Sequence, residues 1–182
     1  MAPRRVAGIL LVGGASRRFG SPKALARFRG ETLAERAWRI LGEAFAERFA
    51  VGKAGELPLP FSVLDDGADV RAPLAGIVAG LRAAEADVAV FLPVDLPLAD
   101  APTLRALAGA CREAAVTQAG PLPAAVARSA LPELEAHLAR GALRVGDALA
   151  ALDTAVVEVD PALLANVNEP ADLARLSGDG GG

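Results

Sequence analysis

The chain has 182 residues, 53% of them hydrophobic and 23% charged, a composition that suits one folded domain with a core large enough to need no staples. Its formal net charge of −3 removes any general attraction to nucleic acid or an anionic membrane, so an anion can be held only by a local arrangement. A single cysteine, Cys111, excludes an internal disulfide and fits a reducing compartment, while a single histidine, His137, supplies neither a zinc cluster nor a Ser–His triad.

The chain opens with "RRVAGILLV", a short run rich in branched residues that Gly13 and Gly14 interrupt, and this predicts a buried first strand. Arg4 and Arg5 before the apolar run mimic a signal peptide, but the run is short and more arginines follow it, so a strand is the better reading. "ETLAERAWRILGEAF" places Leu33, Ala37, Ile40, Leu41 and Ala44 at helical spacing, and Thr32 with Glu35 forms a capping-box pattern at its start. "RFAVG" and "FSVLDD" predict short strands. "APLAGIVAGLRAA" opens with proline and lines up Leu74, Ile77, Val78 and Leu81 on one helical face.

"DVAVFLPVD" is an almost continuous apolar run, as in a strand covered on both sides. A helix over 102–113 follows, with Cys111 on its apolar side and Asp100 placed to cap it. "AAVTQ" and "LPAAVAR" predict strands, 131–140 and 145–152 helices, and "AVVEV" a late strand. A last helix begins at Pro170, and His137 is expected at a rim position. No repeat or linker divides the chain, so one domain is expected over residues 1–176, followed by a flexible tail over 177–182. No run reaches membrane-spanning length, and a soluble, cytoplasmic protein is expected. Strands alternating with helices imply a three-layer α/β sandwich around a mainly parallel mixed sheet, with ligands beyond the carboxyl ends of the strands.

Three segments carry chemistry. Residues 13 to 23 put glycines directly after the first strand, where backbone N–H groups can approach phosphate, and add Arg17, Arg18 and Lys23. The spacing is neither a P-loop nor G-x-G-x-x-G, and a solvated basic turn is the competing reading. Asp95, between Pro93 and Pro97, stands where the buried strand leaves the sheet, and one carboxylate plus phosphate oxygens and water is a magnesium environment. Asp65 and Asp66 close an earlier strand and fit either a second carboxylate or a plain turn. In "NVNEPADLARL", Asn166 and Asn168 fit helix-capping and turn roles as well as contact with a ligand.

Taken together, these segments resemble the molybdenum cofactor guanylyltransferases of the nucleotidyltransferase superfamily. The family opening L-A-G-G-x-S-x-R-M-G-x-x-K is similar to "LVGGASRRFGSPK" here, with Val12 and Phe19 substituted. "APLAGI" resembles its G-P-L-A-G segment, "FLPVDLP" its C-D-x-P segment with Val94 for cysteine, and "NVNEPADLARL" its N-x-N-x-P-x-D-L ending. The matches keep the family's order across nearly the whole chain.

The resemblance implies a GT-A/Rossmann-like nucleotidyltransferase fold. It also implies magnesium-dependent transfer of GMP from GTP to the terminal phosphate of molybdopterin, releasing pyrophosphate. By that analogy Leu11, Gly13, Gly14, Arg18, Lys23, Asp66 and Asp95 contact the nucleotide, Arg18, Lys23 and Asp95 are catalytic, and Asp95 holds the metal. Arg144, Asn166 and Asn168 fall in the pterin region. The implied partners are these small molecules, with transient contact to other cofactor-biosynthesis or acceptor proteins.

Two departures stand out. Gly52 and Lys53 occupy a place where the family carries an asparagine, and Pro121, Leu122 and Pro123 replace an arginine and a His-Pro pair. The alternatives are a cytidylyltransferase, another NTP transferase using a small phosphate acceptor, or a non-catalytic nucleotide- or partner-binding module.

Overall fold

The computed structural model describes residues 3–13, 19–69 and 72–178. Strand β1 (Val6–Val12) runs through the middle of the molecule, and its side chains alternate between two cores. Leu10 and Val12 face one helix layer, while Ala7, Ile9 and Leu11 face the other. A strand buried on both faces has no room for polar residues, which is why this segment reads as an unbroken apolar run.

A small hairpin, β2 (Arg27–Phe28) and β3 (Glu31–Thr32), precedes helix α1 (Leu33–Ala44). Arg29 and Gly30 both have positive φ, 50° and 91°, as a two-residue type I′ hairpin turn requires. Thr32 then caps α1 as expected: its hydroxyl accepts from the Glu35 N–H, and the Glu35 carboxylate accepts from the Thr32 N–H. The chain continues through β4 (Glu47–Gly52), β5 (Val63–Asp65), α2 (Pro73–Ala83) and β6 (Val88–Pro93).

Helix α3 (Ala101–Ala110) ends earlier than the expected 113. Cys111 already has extended backbone, and its carbonyl is drawn off the helix by the Arg4 guanidinium at 2.7 Å. The cysteine is buried, as a packing role requires, and that burial pushes its thiol pKa up. Asp100 caps α3, accepting from the Thr103 N–H at 2.9 Å. Strands β7 (Ala114–Thr117) and β8 (Gly120–Ala127) form a hairpin, followed by α4 (Leu131–Ala139), α5 (Val145–Ala150), β9 (Thr154–Val157) and α6 (Pro170–Ser177). Gly178 closes α6 in the left-handed conformation, and the tail beyond it lies outside the described residues.

Among the described residues seven strands form one sheet in the order β5-β4-β1-β6-β8-β7-β9. The pairs β5–β4, β4–β1, β1–β6 and β7–β9 are parallel, whereas β8 runs antiparallel to both its neighbours. Helices α1 and α3 cover one face; α2, α4 and α5 cover the other. This is the three-layer α/β sandwich with a mainly parallel mixed sheet that the alternation of elements predicts. No helix among the described residues is long and apolar enough to cross a membrane.

The sheet spreads from β1 toward β4 on one side and from β6 toward β8 on the other, so the seam between β1 and β6 is the topological switch point. Tight approach near this seam depends on Gly52, because a Cβ there would stand 1.8 Å from the Val12 carbonyl oxygen. Gly52→Ala therefore meets backbone that cannot yield, and is expected to cost about 3 kcal/mol of stability by overpacking. Gly109→Ala, in α3 with nothing within 4 Å of the new Cβ, is expected to gain roughly 0.5–1 kcal/mol. Urea unfolding midpoints of the two variants should shift in opposite directions.

Candidate active site

The loops after β1 and β6 emerge side by side at the switch point, and they carry the two charged residues that the structure brings together. Lys23 opens a short 3-10 turn, Lys23–Leu25, fastened at both ends by the backbone bonds Leu25 N–H to Pro22 O and Ala26 N–H to Lys23 O. Asp95 leaves the end of β6. The Lys23 ammonium lies 3.6 Å from the Asp95 carboxylate, with the side chains only 16% and 25% exposed. Burial pushes the Asp95 carboxyl above the usual aspartate range, against the opposing pull of Lys23. A carboxylate kept half-desolvated beside an ammonium has a strong local field and few waters to displace, which suits it to a cation or a polyphosphate.

Gly13 ends β1 at φ 156°, in backbone space that favours glycine. Gly14, Arg17 and Arg18 lie outside the described residues. Leu11 is buried, pairing with Val51 on one side and Pro93 on the other, and its side chain packs toward α2. Only its backbone is left to meet a ligand.

The strand ends beyond β1 separate the two neighbouring aspartates. Asp65 is a turn residue: its carboxylate accepts from the Gly67 and Ala54 N–H groups at 2.8 and 3.2 Å, and these bonds hold its pKa down. Asp66 instead binds Lys53 at 2.5 Å, with the Asp66 side chain 9% exposed. Lys53 also donates to the Ala68 carbonyl, and Asp66 accepts from the Ala68 N–H at 3.1 Å. Sequence reading identified Lys53 only as a departure at this place; its position one residue past β4, on the ligand edge, was the available signal.

Asn166 and Asn168 flank Val167, which is fully buried, and both are exposed. The Val167 N–H donates to the Asp95 carbonyl at 2.8 Å, so this segment is attached directly to the Asp95 loop. Glu169, not either asparagine, caps α6: its side chain accepts from the Asp172 N–H, and the buried Asp172 carboxylate accepts in return from the Glu169 and Asn168 N–H groups, at 3.0 and 2.7 Å. Both amide side chains remain on the open side.

Arg144 directly precedes α5, is exposed, and makes no ion pair among the described residues. A cavity of about 310 Å³ lies between α5 and the β7–β8–β9 end of the sheet, lined by Val116, Gly120, Pro121, Gly146, Leu149 and Val156 among others. Thr117, at its border, is buried with its Oγ1 unpartnered among the described residues. His137, half-buried on α4 and 3.3 Å from Glu133, takes no part in this edge. Among the described residues no three His, Cys, Asp or Glu side chains converge as a metal cluster. A divalent cation beside Asp95 would therefore complete its shell with phosphate oxygens and water, which is how magnesium is ordinarily held.

The family model of the MobA-like NTP transferase domain matches residues 8–156. A probable molybdenum cofactor guanylyltransferase of Opitutus terrae is 36% identical, over 93% of this chain and 94% of its own length. One from Bacillus subtilis is 31% identical over 92% of each chain. The crystal structure of molybdopterin-guanine dinucleotide biosynthesis protein A from Archaeoglobus fulgidus superposes with a TM-score of 0.80, covering 95% of this chain and 97% of that one at 23% identity.

Because the Asp95 pKa is raised on folding, the native chain binds more protons than the unfolded chain between the two values. Its contribution to stability is complete below the unfolded pKa and is lost as pH rises through the folded one. Asp95→Asn removes this titration. The melting temperature of the variant relative to the parent should therefore climb from acid to neutral pH; a flat difference would contradict the burial argument.

Proposed function

The chain belongs to the MobA-like NTP transferase family, and on that premise we propose that it transfers GMP from GTP to the terminal phosphate of molybdopterin. The products are the guanine dinucleotide form of the cofactor and pyrophosphate. The observation that carries this reading is the half-buried Lys23–Asp95 pair at the β1–β6 switch point, with the Asp95 loop tied by its backbone to the Asn166–Asn168 segment.

The chemistry follows from that placement. The attacking phosphate of the acceptor and the α-phosphorus of GTP are both surrounded by negative charge, so the main barrier is bringing two anions into line. Lys23, with Arg18 a little earlier in the sequence, neutralises the triphosphate and supports the pyrophosphate as it departs. Asp95 would hold magnesium, which would supply positive charge to stabilise the phosphates. No protein nucleophile is needed, in keeping with one distant histidine and one buried cysteine. Gly13 and Gly14 give the phosphates access to backbone N–H groups, Leu11 contributes its backbone, and Asp66, held by Lys53, borders the nucleoside.

The acceptor lies on the other side of Asp95, against Asn166, Asn168 and Arg144. The slot beside α5 is apolar enough for a flat ring system. This assignment places the enzyme in the cytoplasm, in transient contact with the proteins that supply its acceptor and receive its product.

Two measurements test it. Thermal melting with GTP, CTP, ATP or UTP, each with and without magnesium, should show selective stabilisation by GTP with magnesium. A preference for CTP would reassign the base, and no response to any nucleotide would remove the catalytic reading. Asp95→Asn and Lys23→Met should each lower pyrophosphate release by about a hundredfold or more.

A further inference from the structure

Beside the Lys23–Asp95 pair, and apart from every residue assigned to substrate, a half-buried arginine joins the two loops that carry the pair. Arg36 sits one turn into α1 with its side chain 17% exposed. Its Nε donates to the Pro97 carbonyl, two residues past Asp95. Its Nη1 donates to Glu31 Oε1 at 3.0 Å, and the guanidinium lies 5.3 Å from the centre of the Phe28 ring. Phe28 and Glu31 belong to the β2–β3 hairpin, reached directly from the Lys23 turn. One planar group thus touches the loop of the carboxylate and the continuation of the loop of the ammonium.

The partners of Arg36 are themselves held. Arg39, one turn further along α1, donates to both Glu31 oxygens, at 2.6 and 3.2 Å, and this grip keeps the Glu31 carboxyl ionised at lower pH than usual. The Leu33 N–H donates to the Ala26 carbonyl, fixing the Lys23 turn to the start of α1. On the other side of Asp95, its own carbonyl is taken by Val167 N–H at 2.8 Å. The Asp95–Pro97 segment is therefore suspended between two donors, the Val167 amide and the Arg36 guanidinium. Without Arg36, the Pro97 carbonyl loses this donor, and the remaining polar contacts of the loop among the described residues are Val167, the Lys23 pair, the Ala99 N–H bond to the Leu96 carbonyl and the Asp100 cap of α3.

We infer that Arg36 is a positioning residue, a brace that sets the separation of Lys23 and Asp95 by tying the Pro97 carbonyl to the β2–β3 hairpin. The inference rests on the transferase reading for its kinetic consequence only; the brace itself is a property of the free protein. Arginine suits the role because its fork serves two acceptors at fixed spacing while its face packs on a ring, a combination lysine cannot match.

The test compares Arg36→Met, Arg36→Lys and Glu31→Gln with the parent by kcat and KM for GTP, thermal melting, and amide exchange at Val167. Arg36→Met should lower kcat by about tenfold to a hundredfold, as a displacement near 1 Å does, while KM for GTP moves by less than about threefold. Val167 exchange should accelerate in the same variant without ligand. Arg36→Lys should fall between Arg36→Met and the parent in both readouts. Glu31→Gln, which leaves the Pro97 contact in place, should show the same pattern at smaller size and serves if Arg36→Met does not fold.

A variant with kcat within about twofold of the parent and unchanged Val167 exchange overturns the brace, as does a lowered melting temperature with kcat intact. If the parent itself transfers no nucleotide, the transferase reading fails, and the exchange data alone decide the brace.

Discussion

A carboxylate partly withdrawn from water beside an ammonium is the constraint around which the site is organised. Asp95 gives up hydration that Lys23 does not fully return, so the pair opposes folding more than it assists it. Such a pair persists only if the surrounding backbone leaves it no easier arrangement. The bonds around it show how this is arranged: a 3-10 turn under Lys23, a helix cap at Asp100, and donors from Val167 and Arg36 on either side of the Asp95 loop. Stability is drawn from the two apolar cores and spent locally at the edge where the charges meet.

The position of the pair follows from the sheet. β1 and β6 are hydrogen-bonded neighbours running in the same direction, so the loops that follow them leave one edge of the sheet side by side, and both lead to helices of the same layer. Side chains at this edge rest on strands that are buried on both faces and cannot shift independently. The β4–β5 side is further drawn together by Asp66 and Lys53 across the ends of those strands, and the opposite side by the backbone bond from Val167. Rigid strands set the separation of the loops, and polar contacts set the direction of the groups they carry.

Much of this was legible in the sequence. Alternation of apolar runs with helical spacing identified the layers, and the caps Thr32 and Asp100 and the opening proline Pro170 marked helix starts where the structure has them. Lys23 and Asp95 could be selected because a charge at the end of an apolar run lies at the ligand edge of a parallel sheet. Other features depend on contacts distant in sequence. The early end of α3 comes from Arg4, 107 residues away, and the roles of Asp65 and Asp66 diverge only because Lys53 lies opposite one of them. Arg36 was not singled out in the sequence, since nothing local reveals a carbonyl 61 residues downstream. The β2–β3 hairpin escaped notice because Arg29-Gly30 is a weak turn signal beside the usual Asn-Gly.

The reversal of β8 leaves one part of the edge free to vary. Because β8 runs against β6 and β7, the tip of the β7–β8 hairpin, at Gln118 to Gly120, emerges at the same edge as the loops after β1 and β6. Its length and residues can drift without changing the register of the β1–β6 seam. A change in this one hairpin can thereby alter what borders the edge while the strands whose loops carry Lys23 and Asp95 stay in place. Pro121, Leu122 and Pro123, the first residues of β8 after that tip, are the strand positions such a change would reach first.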